Sequence, residues 1–506
     1  MLRFLRKLRK DERGNVIAIV CAAMPLVIGA AGLATDTIQW TLWKRQLQRA
    51  ADSAAIAGVY DRENNNSTSN TPNAVCHDLT LNLHTFMKLQ SSSTPCGSTS
   101  AVGSYSAIAY DSDCTSAASA AISNKVCVTL KVQKALPFSN FFSSLGFVAP
   151  VITASATAAS ISAGTPCALA LNPSGTAMNY SGNATVSAAS CILYSDSNSA
   201  NAASAGGSSL VTAKSVAAVG GIQHSSNFSV GSYIPYSPSI PDPYASITPD
   251  PSDMKCAQAA VTTPQVIVDQ AAYDETVTTT NPHNGKTTTT IVHHDAVTHT
   301  VYNTTYTGSA QALTDGADIT TMKDSNGNQA NCFTSLSVGS NRTLTIPDTY
   351  TGPIYLNGGG VNFQGSFSCA HCTIVLTNKD PTSTTIGTVS TNAQANNNIT
   401  APTTGTYAGI AIYQDRRASG NVDQINGGSG SVINGAVYFP NDELRINGTG
   451  LVDSSGNAVK LCAMWVAKNI TFLGNSSIGL SSPDDAVCSG YGLPSGKGVK
   501  MVRLVA

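Results

Sequence analysis

The sequence predicts a long N-terminal transmembrane helix with a small α+β module, followed by a mainly β region. Three observations predict this class: a basic head precedes an uncharged apolar run, apolar residues then recur at helical spacing, and the remainder has short apolar runs separated by Gly, Asn and Ser. With 506 residues and only 11% charged residues, the chain is unlike a cytosolic enzyme and typical of a secreted or surface protein. The net charge of -1 gives no indication of a nucleic-acid partner.

Residues 1–14 form a basic tail, which we predict to be cytoplasmic. Two acidic residues accompany six basic ones within the first thirteen positions: Arg3, Arg6, Lys7, Arg9, Lys10 and Arg13. The positive-inside rule places such an N-terminus in the cytoplasm and the chain beyond the apolar run on the other side of the membrane.

Residues 15–35 are predicted to cross the membrane once. The nineteen residues from Val16 to Ala34 carry no charge and span about 28 Å as a helix, enough to cross the hydrocarbon core. Pro25 lies mid-span, where we expect a kink that membrane helices tolerate. A cleavable signal peptide is the alternative, because Gly32 and Ala34 are spaced like a signal-peptidase site.

The helix is predicted to continue over residues 36–60. Apolar residues recur there at spacings of three and four, which places them on one face, here called the stripe: Trp40, Trp43, Leu47, Ala50, Ala54 and Ala57. We expect the stripe to make lateral contact with other helices, together with a face inside the membrane formed by Ala18, Ala22, Pro25, Gly29 and Gly32. An amphipathic helix that packs on its own domain would show the same pattern.

The run DERGNVIAIVCAAMPLVIGAAGLATDTIQWTLWKRQLQRAADSAAIAG also resembles a known family. It combines an Arg-Gly-Asn start at 13–15, Pro25 inside the span, Asp36 after it, and Gln-Arg-Ala-Ala-Asp at 48–52. These residues closely resemble the N-terminal domain of the Flp pilus-assembly TadE/TadG-like family, and the resemblance is strong over roughly residues 10–60. Prepilin-type processing usually goes with a Glu five residues after the cleaved Gly, whereas Ile19 follows Gly14 at that distance.

The resemblance therefore indicates the uncut TadG-like members, which are anchored in the bacterial inner membrane. It implies a non-catalytic structural component of a tight-adherence (Flp) pilus or of surface attachment. The implied partners are the inner membrane and other pilus-assembly or pilin-like proteins. Some family members carry a metal motif of the form Asp-x-Ser-x-Ser, but the run at 196–199 lacks its spacing, so we predict no metal and no cofactor.

Residues 61–163 are predicted to form a pilin-like α+β module. Polar residues at 61–75 should end the first helix. Segments 104–110, 125–133 and 150–159 are predicted strands, and 137–147 a short helix.

Residues 164–506 are predicted to form an exported β-rich domain. Repeated short strands and turns, with few charges, indicate a β-solenoid or parallel β-helix, with a β-sandwich as the alternative. Six prolines in 234–251 predict an extended crossing or linker. Two Thr-rich stretches around Asn284-Gly285 predict a projecting β-arm over 273–307.

Thirteen cysteines are present, and we set aside Cys21 inside the apolar run. The other twelve fall into neighbour pairs, which we predict to be disulfides of an oxidising compartment: Cys76/Cys96, Cys114/Cys127, Cys167/Cys191, Cys256/Cys332, Cys369/Cys372 and Cys462/Cys488. Free, buried thiols are the alternative.

Two groups of residues are weak candidates for chemistry. His293, Asp295 and His299 fall on one face of an alternating strand and could hold zinc or copper, but a solvated Thr/His face is favoured. The carboxylates available for glycoside cleavage are Asp415, Asp442, Glu443, Asp484 and Asp485, which we interpret as solvated loop acids. We therefore predict no catalytic residues. A membrane-tethered β-helix that binds or cleaves surface glycans is the alternative function.

Overall fold

A computed structural model describes residues 15–65, 67, 69–83, 107–111, 125–133, 136–141, 146, 148–426, 431–447, 460–493 and 498–505. The basic tail and two predicted disulfide residues, Cys96 and Cys114, lie outside these ranges. The chain forms two compact units. The first comprises 1–163, 237–239 and 500–506, and the second comprises 164–236 and 240–499. The division at 163/164 coincides with the predicted end of the module.

The described residues contain three α-helices and thirty-one strands. The helices are α1 (Asn15–Asn65), α2 (Thr71–Asn82) and α3 (Pro137–Phe141), with short 3-10 turns at Pro251–Asp253 and Ala486–Cys488. The strands are β1 (Ala107–Asp111), β2 (Lys125–Gln133), β3 (Val151–Gly164), β4 (Pro166–Ala170), β5 (Met178–Tyr180), β6 (Thr185–Ser195), β7 (Ala203–Ala205), β8 (Leu210–Ala218), β9 (Phe228–Val230), β10 (Tyr233–Ile234), β11 (Gln258–Gln270), β12 (Tyr273–Thr280), β13 (Thr287–His294), β14 (Val297–Ala310), β15 (Leu313–Thr314), β16 (Cys332–Phe333), β17 (Leu336–Val338), β18 (Thr343–Thr345), β19 (Gly352–Asn357), β20 (Val361–Phe363), β21 (Ser366–Cys369), β22 (Cys372–Thr377), β23 (Val389–Thr391), β24 (Asn398–Thr400), β25 (Ile410–Gln414), β26 (Val422–Asn426), β27 (Val432–Asn447), β28 (Lys460–Leu461), β29 (Ala463–Leu473), β30 (Ser477–Leu480) and β31 (Val499–Leu504).

The first unit packs α1 and α2 on a sheet of order β1-β2-β3-β31. Strand β2 has the predicted bounds and alternates buried and half-buried residues, because one of its faces covers the helices. Three features differ from the prediction. Helix α1 extends to Asn65, α2 follows it, and the C-terminal strand β31 joins this sheet although 164–506 was assigned to the β-rich domain.

The second unit is mostly strands, and its large sheet of twenty-three strands is here called the stack. Its pairings are parallel, and most join a strand to one two or three positions further along the chain. One series of pairings runs β16-β19-β22-β25-β27-β29-β4-β6-β8-β10 and is called the first ladder. A second ladder runs β15-β17-β20-β23-β26-β27-β29-β5-β7.

The spatial order of the stack is not the chain order. Strand β29 pairs with β4 through Trp465↔Ala168 and with β5 through Ile470↔Met178. The segment 166–234 therefore continues the sheet that 313–480 begins. The chain must return from one end of this sheet to the other after β10.

The Pro-rich segment 234–251, here called the crossing, begins that return. The backbone N–H of Ile240 donates to Asp196 Oδ1 at 3.0 Å, and the Tyr413 hydroxyl donates to the carbonyl of Ile247 at 2.7 Å. Further along, the Lys379 ammonium donates to the carbonyl of Met254 at 3.1 Å. The crossing thus lies against the first ladder. This cover explains why strands such as β22 and β25 are buried throughout instead of alternating.

The second ladder alternates instead, with mostly apolar residues inward, Thr391 and Asp423 being the polar exceptions, and with a polar residue outward at each strand centre. The register aligns these centres into one outward column: Thr314, Ser337, Asn362, Ser390, Gln424, Arg445, Thr471, Asn179 and Ser204. The inward apolar residues belong to one core cluster that includes the stacked rings of Trp465, Phe472 and Tyr180.

The β-arm is longer than the predicted 273–307. Strands β11 and β14 pair antiparallel at its base, and β12 and β13 pair at its tip, so the ribbon extends from 258 to 310. Gly285 adopts a φ of +70° in the connecting loop, consistent with the Asn284-Gly285 turn signal. Nearly every arm residue is exposed.

A close approach between successive turns of the chain in the stack provides a test of the fold. A Cβ on Gly387 would lie 2.1 Å from the carbonyl carbon and oxygen of Gly359, which is backbone and cannot move aside. We expect Gly387→Ala to destabilise the protein by more than about 2 kcal/mol. The measurement is urea unfolding of the detergent-solubilised full chain with its disulfides intact, followed by circular dichroism.

Gly206→Ala is the matched control, because nothing lies within 4 Å of a Cβ at that position. Its effect should stay within about 1 kcal/mol in either direction. Equal stability of the two variants would contradict the close stacking at Gly387.

Candidate functional site

Helix α1 has two halves with opposite surroundings. From residue 16 to 31 the described side chains are exposed apart from the half-buried Gly29, and Leu26 and Val27 are 76% and 65% exposed. Within the described residues, one helix is long and apolar enough to cross a membrane, and this is it. Ala22 and Pro25 lie on this exposed surface, whereas the side chain of Ala18 is outside the described set. The helix continues through Pro25.

Gly32 is not available for contact with other helices, which corrects the prediction for this residue. A Cβ on Gly32 would lie 2.2 Å from Cδ1 of Phe138, so the Phe138 ring covers the helix backbone there. One turn later the buried Asp36 carboxylate accepts a hydrogen bond of 2.6 Å from the backbone N–H of Ser139. Both contacts attach α3 to α1.

The stripe is also not a lateral surface, a second correction. Trp43, Leu47, Ala50 and Ala54 are buried against the sheet and α2 of the same module, while Trp40 and Ala57 are half-buried. Small side chains favour this internal contact because they let the sheet approach the helix closely. The alternative stated for the stripe, packing on its own domain, is the arrangement observed.

Asp36 and Phe138 have roles in the module that their sequence context did not predict. Asp36 was noted only for its place in the family pattern, although a single carboxylate directly after an apolar run needs a hydrogen-bond donor if the helix is covered there. Phe138 begins a Phe-rich stretch without charge, and that composition was the available signal.

Four disulfides join sequence neighbours in the stack and crossing: Cys167–Cys191, Cys256–Cys332, Cys369–Cys372 and Cys462–Cys488. Cys76 and Cys127 are also disulfide-bonded, and their expected partners, Cys96 and Cys114, lie outside the described residues. Cys21 is a free, exposed cysteine. The Cys256–Cys332 bond joins the end of the crossing to the start of the first ladder.

The histidines of the arm do not come together as one metal site. His293 lies near the end of β13, whereas His299 lies in β14. The single alternating strand that we predicted is therefore interrupted at residues 295–296. Each pairs with a carboxylate across its own ribbon, His293 with Asp274 at 2.5 Å and His299 with Asp269 at 2.7 Å. His294 likewise lies 3.0 Å from Glu275. Among the described residues no group of three or more His, Cys, Asp or Glu side chains is placed to hold a metal ion.

Two of the candidate carboxylates are buried rather than solvated, contrary to the prediction. Asp442 accepts hydrogen bonds from the Gln414 amide at 2.9 Å and from the backbone of Asn421. Asp415 binds Arg417 at 2.7 Å and accepts from the Thr377 hydroxyl. Although burial pushes the pKa of Asp415 upward, these hydrogen bonds hold it below its usual range. The loop acids Asp484 and Asp485 bind Thr165 and Ser190.

Gln414 also connects Asp442 to a buried acid that the sequence did not single out. Its amide donates to Asp423 Oδ2 at 3.2 Å, and the backbone N–H of Val389 donates to Asp423 Oδ1 at 2.7 Å. Burial, reinforced by the neighbouring Asp442 charge, raises the pKa of Asp423 to about 8. Asp423 therefore holds a proton at neutral pH in the folded protein.

Glu443 directly follows Asp442 in β27 and lies on the rim of an open cleft of about 330 Å³. The lining is entirely polar: Thr176, Asn179, Ser204, Glu443, Asn469 and Thr471. Burial raises the pKa of Glu443, but Arg445 at 2.9 Å and the Thr471 hydroxyl at 2.8 Å outweigh it and keep the pKa below its usual range. Glu443 is thus an ionised group bound by its own neighbours.

The geometry of α1 defines a class of protein in which one long helix has an exposed apolar half and a half that carries a globular module. Residues 14–61, which contain the apolar span and the stripe, match the family described as putative Flp pilus-assembly TadE/G-like. The similarity to this family is therefore confined to residues 14–61 at the N-terminal end of the chain. Comparison with curated proteins and with solved structures finds no match.

The raised pKa of Asp423 predicts how stability depends on pH. Between about pH 4 and pH 8 the folded state retains a proton that the unfolded chain has released, so this group makes stability fall as pH rises through that window. Asp423→Asn cannot titrate. The unfolding temperature of the wild type should therefore fall relative to that of the variant between pH 5 and pH 8.5, as measured by differential scanning calorimetry.

Asp348→Asn serves as the control, because this exposed side chain leaves the buried network unchanged. It should track the wild type at every pH. Parallel pH profiles for the wild type and Asp423→Asn would show that Asp423 is ionised in the folded state.

Proposed function

We propose that the protein is a membrane-anchored, non-catalytic structural component of Flp (tight-adherence) pilus assembly or of the associated surface attachment. The observation that carries this proposal is the division of α1: an uncharged, exposed half and a buried half that holds a module, both within the residues that match the TadE/G-like family. In this proposal the basic tail lies in the cytoplasm, α1 crosses the inner membrane once, and both units lie on the periplasmic or cell-surface side.

The stack supports the reach that such a component needs. We propose that its parallel ladders wind as a β-solenoid, in which each turn of chain covers the apolar edge of the previous one. Three disulfides, Cys167–Cys191, Cys256–Cys332 and Cys462–Cys488, and the crossing join parts of the chain that are distant in sequence, whereas Cys369–Cys372 closes a local turn. The partners would be other pilus-assembly or pilin-like proteins, contacted by the solvent-facing surfaces of the stack and arm.

The anchoring is tested by charging the middle of the span. Each Arg at the centre of a membrane helix costs about 2.5–3.5 kcal/mol of insertion free energy, so Leu26→Arg with Val27→Arg should remove the chain from the carbonate-resistant membrane fraction. The wild type should stay in that fraction, as measured by immunoblotting of bacterial membranes before and after alkaline carbonate extraction.

Leu210→Arg with Val422→Arg is the matched control, since both residues are exposed in the stack. This variant should remain in the membrane like the wild type. Carbonate extraction of the wild type, or a mature chain that begins at Thr35, would replace the anchor with a removed signal peptide.

Glycan binding is a second candidate function, favoured by the polar cleft at Glu443. Its hydroxyl and amide lining offers the donors and acceptors that sugar hydroxyl groups use. The buried positions of Asp415 and Asp442 favour binding over cleavage, because neither acid faces the cleft.

We expect the protein to bind immobilised polysaccharides without cleaving them. Thr471→Val should weaken this binding about fivefold, the effect of one lost hydrogen bond. Thr343→Val, an exposed residue on another part of the stack, should have no effect. Release of reducing ends, abolished by Glu443→Gln, would establish an enzyme instead.

A further inference from the structure

We propose that the module makes a second contact with the bilayer, through an apolar patch formed by Phe138, Val148 and Val151. In this arrangement the patch lies in the headgroup and upper acyl region of the leaflet from which α1 emerges. The proposal rests on the membrane anchoring proposed above and adds a lipid-binding surface to it.

The position of α3 along α1 sets the depth of the patch. Phe138 covers Gly32, and Ser139 donates its backbone N–H to Asp36, so α3 is held beside residues 32–36. The uncharged run from Val16 to Ala34 is about as long as the hydrocarbon core is thick. At 1.5 Å per residue, Gly32 lies about 3 Å inside the outer end of that run. Phe138 is therefore at the level of the membrane interface.

The sheet of the module brings Val148 and Val151 to the same end. At the far end of β2, the Arg62 guanidinium donates to the carbonyl of Lys125 at 2.5 Å, which places Lys125 beside the end of α1 that is remote from the span. The opposite end of β2, Gln133, consequently points toward the span. Val151 pairs with Gln133, and the Gln133 amide donates to the carbonyl of Ala149 at 2.9 Å.

These three apolar side chains are exposed. Phe138 is 41%, Val148 73% and Val151 55% exposed. The sequence from 135 to 151 contains no charged residue and holds four of the twelve phenylalanines of the chain. Exposed apolar groups at one end of a module mark an interaction surface, and aromatic residues are enriched where proteins meet the lipid headgroups.

The bilayer is the occupant that the geometry favours over another protein. The patch lies at the same depth along α1 as exposed apolar residues of the helix itself, including Leu33 and Ile38. A surface held at the end of a membrane span meets lipid without any further binding event, whereas a protein partner would have to be recruited to the same depth. Two attachments, one by insertion and one by the patch, would restrict the tilt and rotation of the module about α1.

Depth-dependent quenching in liposomes tests the proposal on the full chain. Cys21→Ser removes the free cysteine, and single cysteines are then introduced at Val148, at Val27 in the span and at Ser174 in the stack, each labelled with the fluorophore NBD without reduction. The liposomes contain phosphatidylethanolamine and phosphatidylglycerol with nitroxide lipids that quench either near the headgroup or deep in the acyl region. We expect shallow nitroxides to quench the Val148 label at least about threefold more than the Ser174 label.

The outcomes separate this proposal from the anchoring beneath it. A Val27 label quenched by deep nitroxides, with the Val148 label no more quenched than Ser174, leaves the anchor in place and overturns the patch. A Val27 label that is not quenched overturns both. Self-quenching of the Val148 label without lipid quenching assigns the patch to a second copy of the chain and also overturns the proposal.

A variant in the same labelled chain probes the patch itself. Val151→Asp should lower quenching of the Val148 label by about half or more, because a carboxylate is poorly tolerated at the interface. Leu210→Asp, on the exposed surface of the stack, should leave it unchanged. Unchanged quenching in Val151→Asp would exclude Val151 from the lipid contact.

Discussion

The structure depends on the close packing of the second half of α1 against its own sheet. Ala51, Ala54 and Ala55 are completely buried there, and a Cβ on Gly58 would lie 2.8 Å from Val75 Cγ2 and 2.9 Å from Val126 Cγ1. Larger side chains would hold the sheet away from the helix. Because the same helix continues as the exposed apolar span, this contact also fixes the direction in which the module leaves that span.

The order of strands in the stack follows from where the chain must enter and leave it. Strands β4 and β29 are neighbours, so the first and last parts of the stack meet in the same region of the sheet. The flanking strands β3 and β31 likewise belong to one sheet in the module. Such an arrangement needs a segment that returns along the stack. The crossing, with buried Ile240 and Tyr244, and the residues that follow it, with buried Met254, meet this need. Prolines suit this segment because it forms no ladder with a neighbouring strand, so the N–H group that proline lacks is not needed for a hydrogen bond.

Local patterns predicted much of this fold, and the misses have a common cause. The bounds of β2, the crossing and the parallel character of the β region follow from alternation, proline content and short strand length. The stripe shows the limit: spacing placed Trp43 and Leu47 on one face, but only the three-dimensional structure reveals that this face covers the module's own sheet. The same limit applies to β31, because a six-residue strand carries no information about which distant sheet it joins.

The acids show how burial changes the functional meaning of a residue type. In the sequence, Asp442 and Asp423 are not distinguished from exposed polar residues. In the structure, parallel pairing in the second ladder buries Asp423 within a strand. A carboxylate in that position keeps its proton and shares Gln414 with Asp442, so the network joins neighbouring strands rather than presenting paired acids to a substrate. Asp415 is likewise occupied by Arg417. The hydrogen bonds of Asp415 and Asp442 thus connect neighbouring strands and loops of the stack.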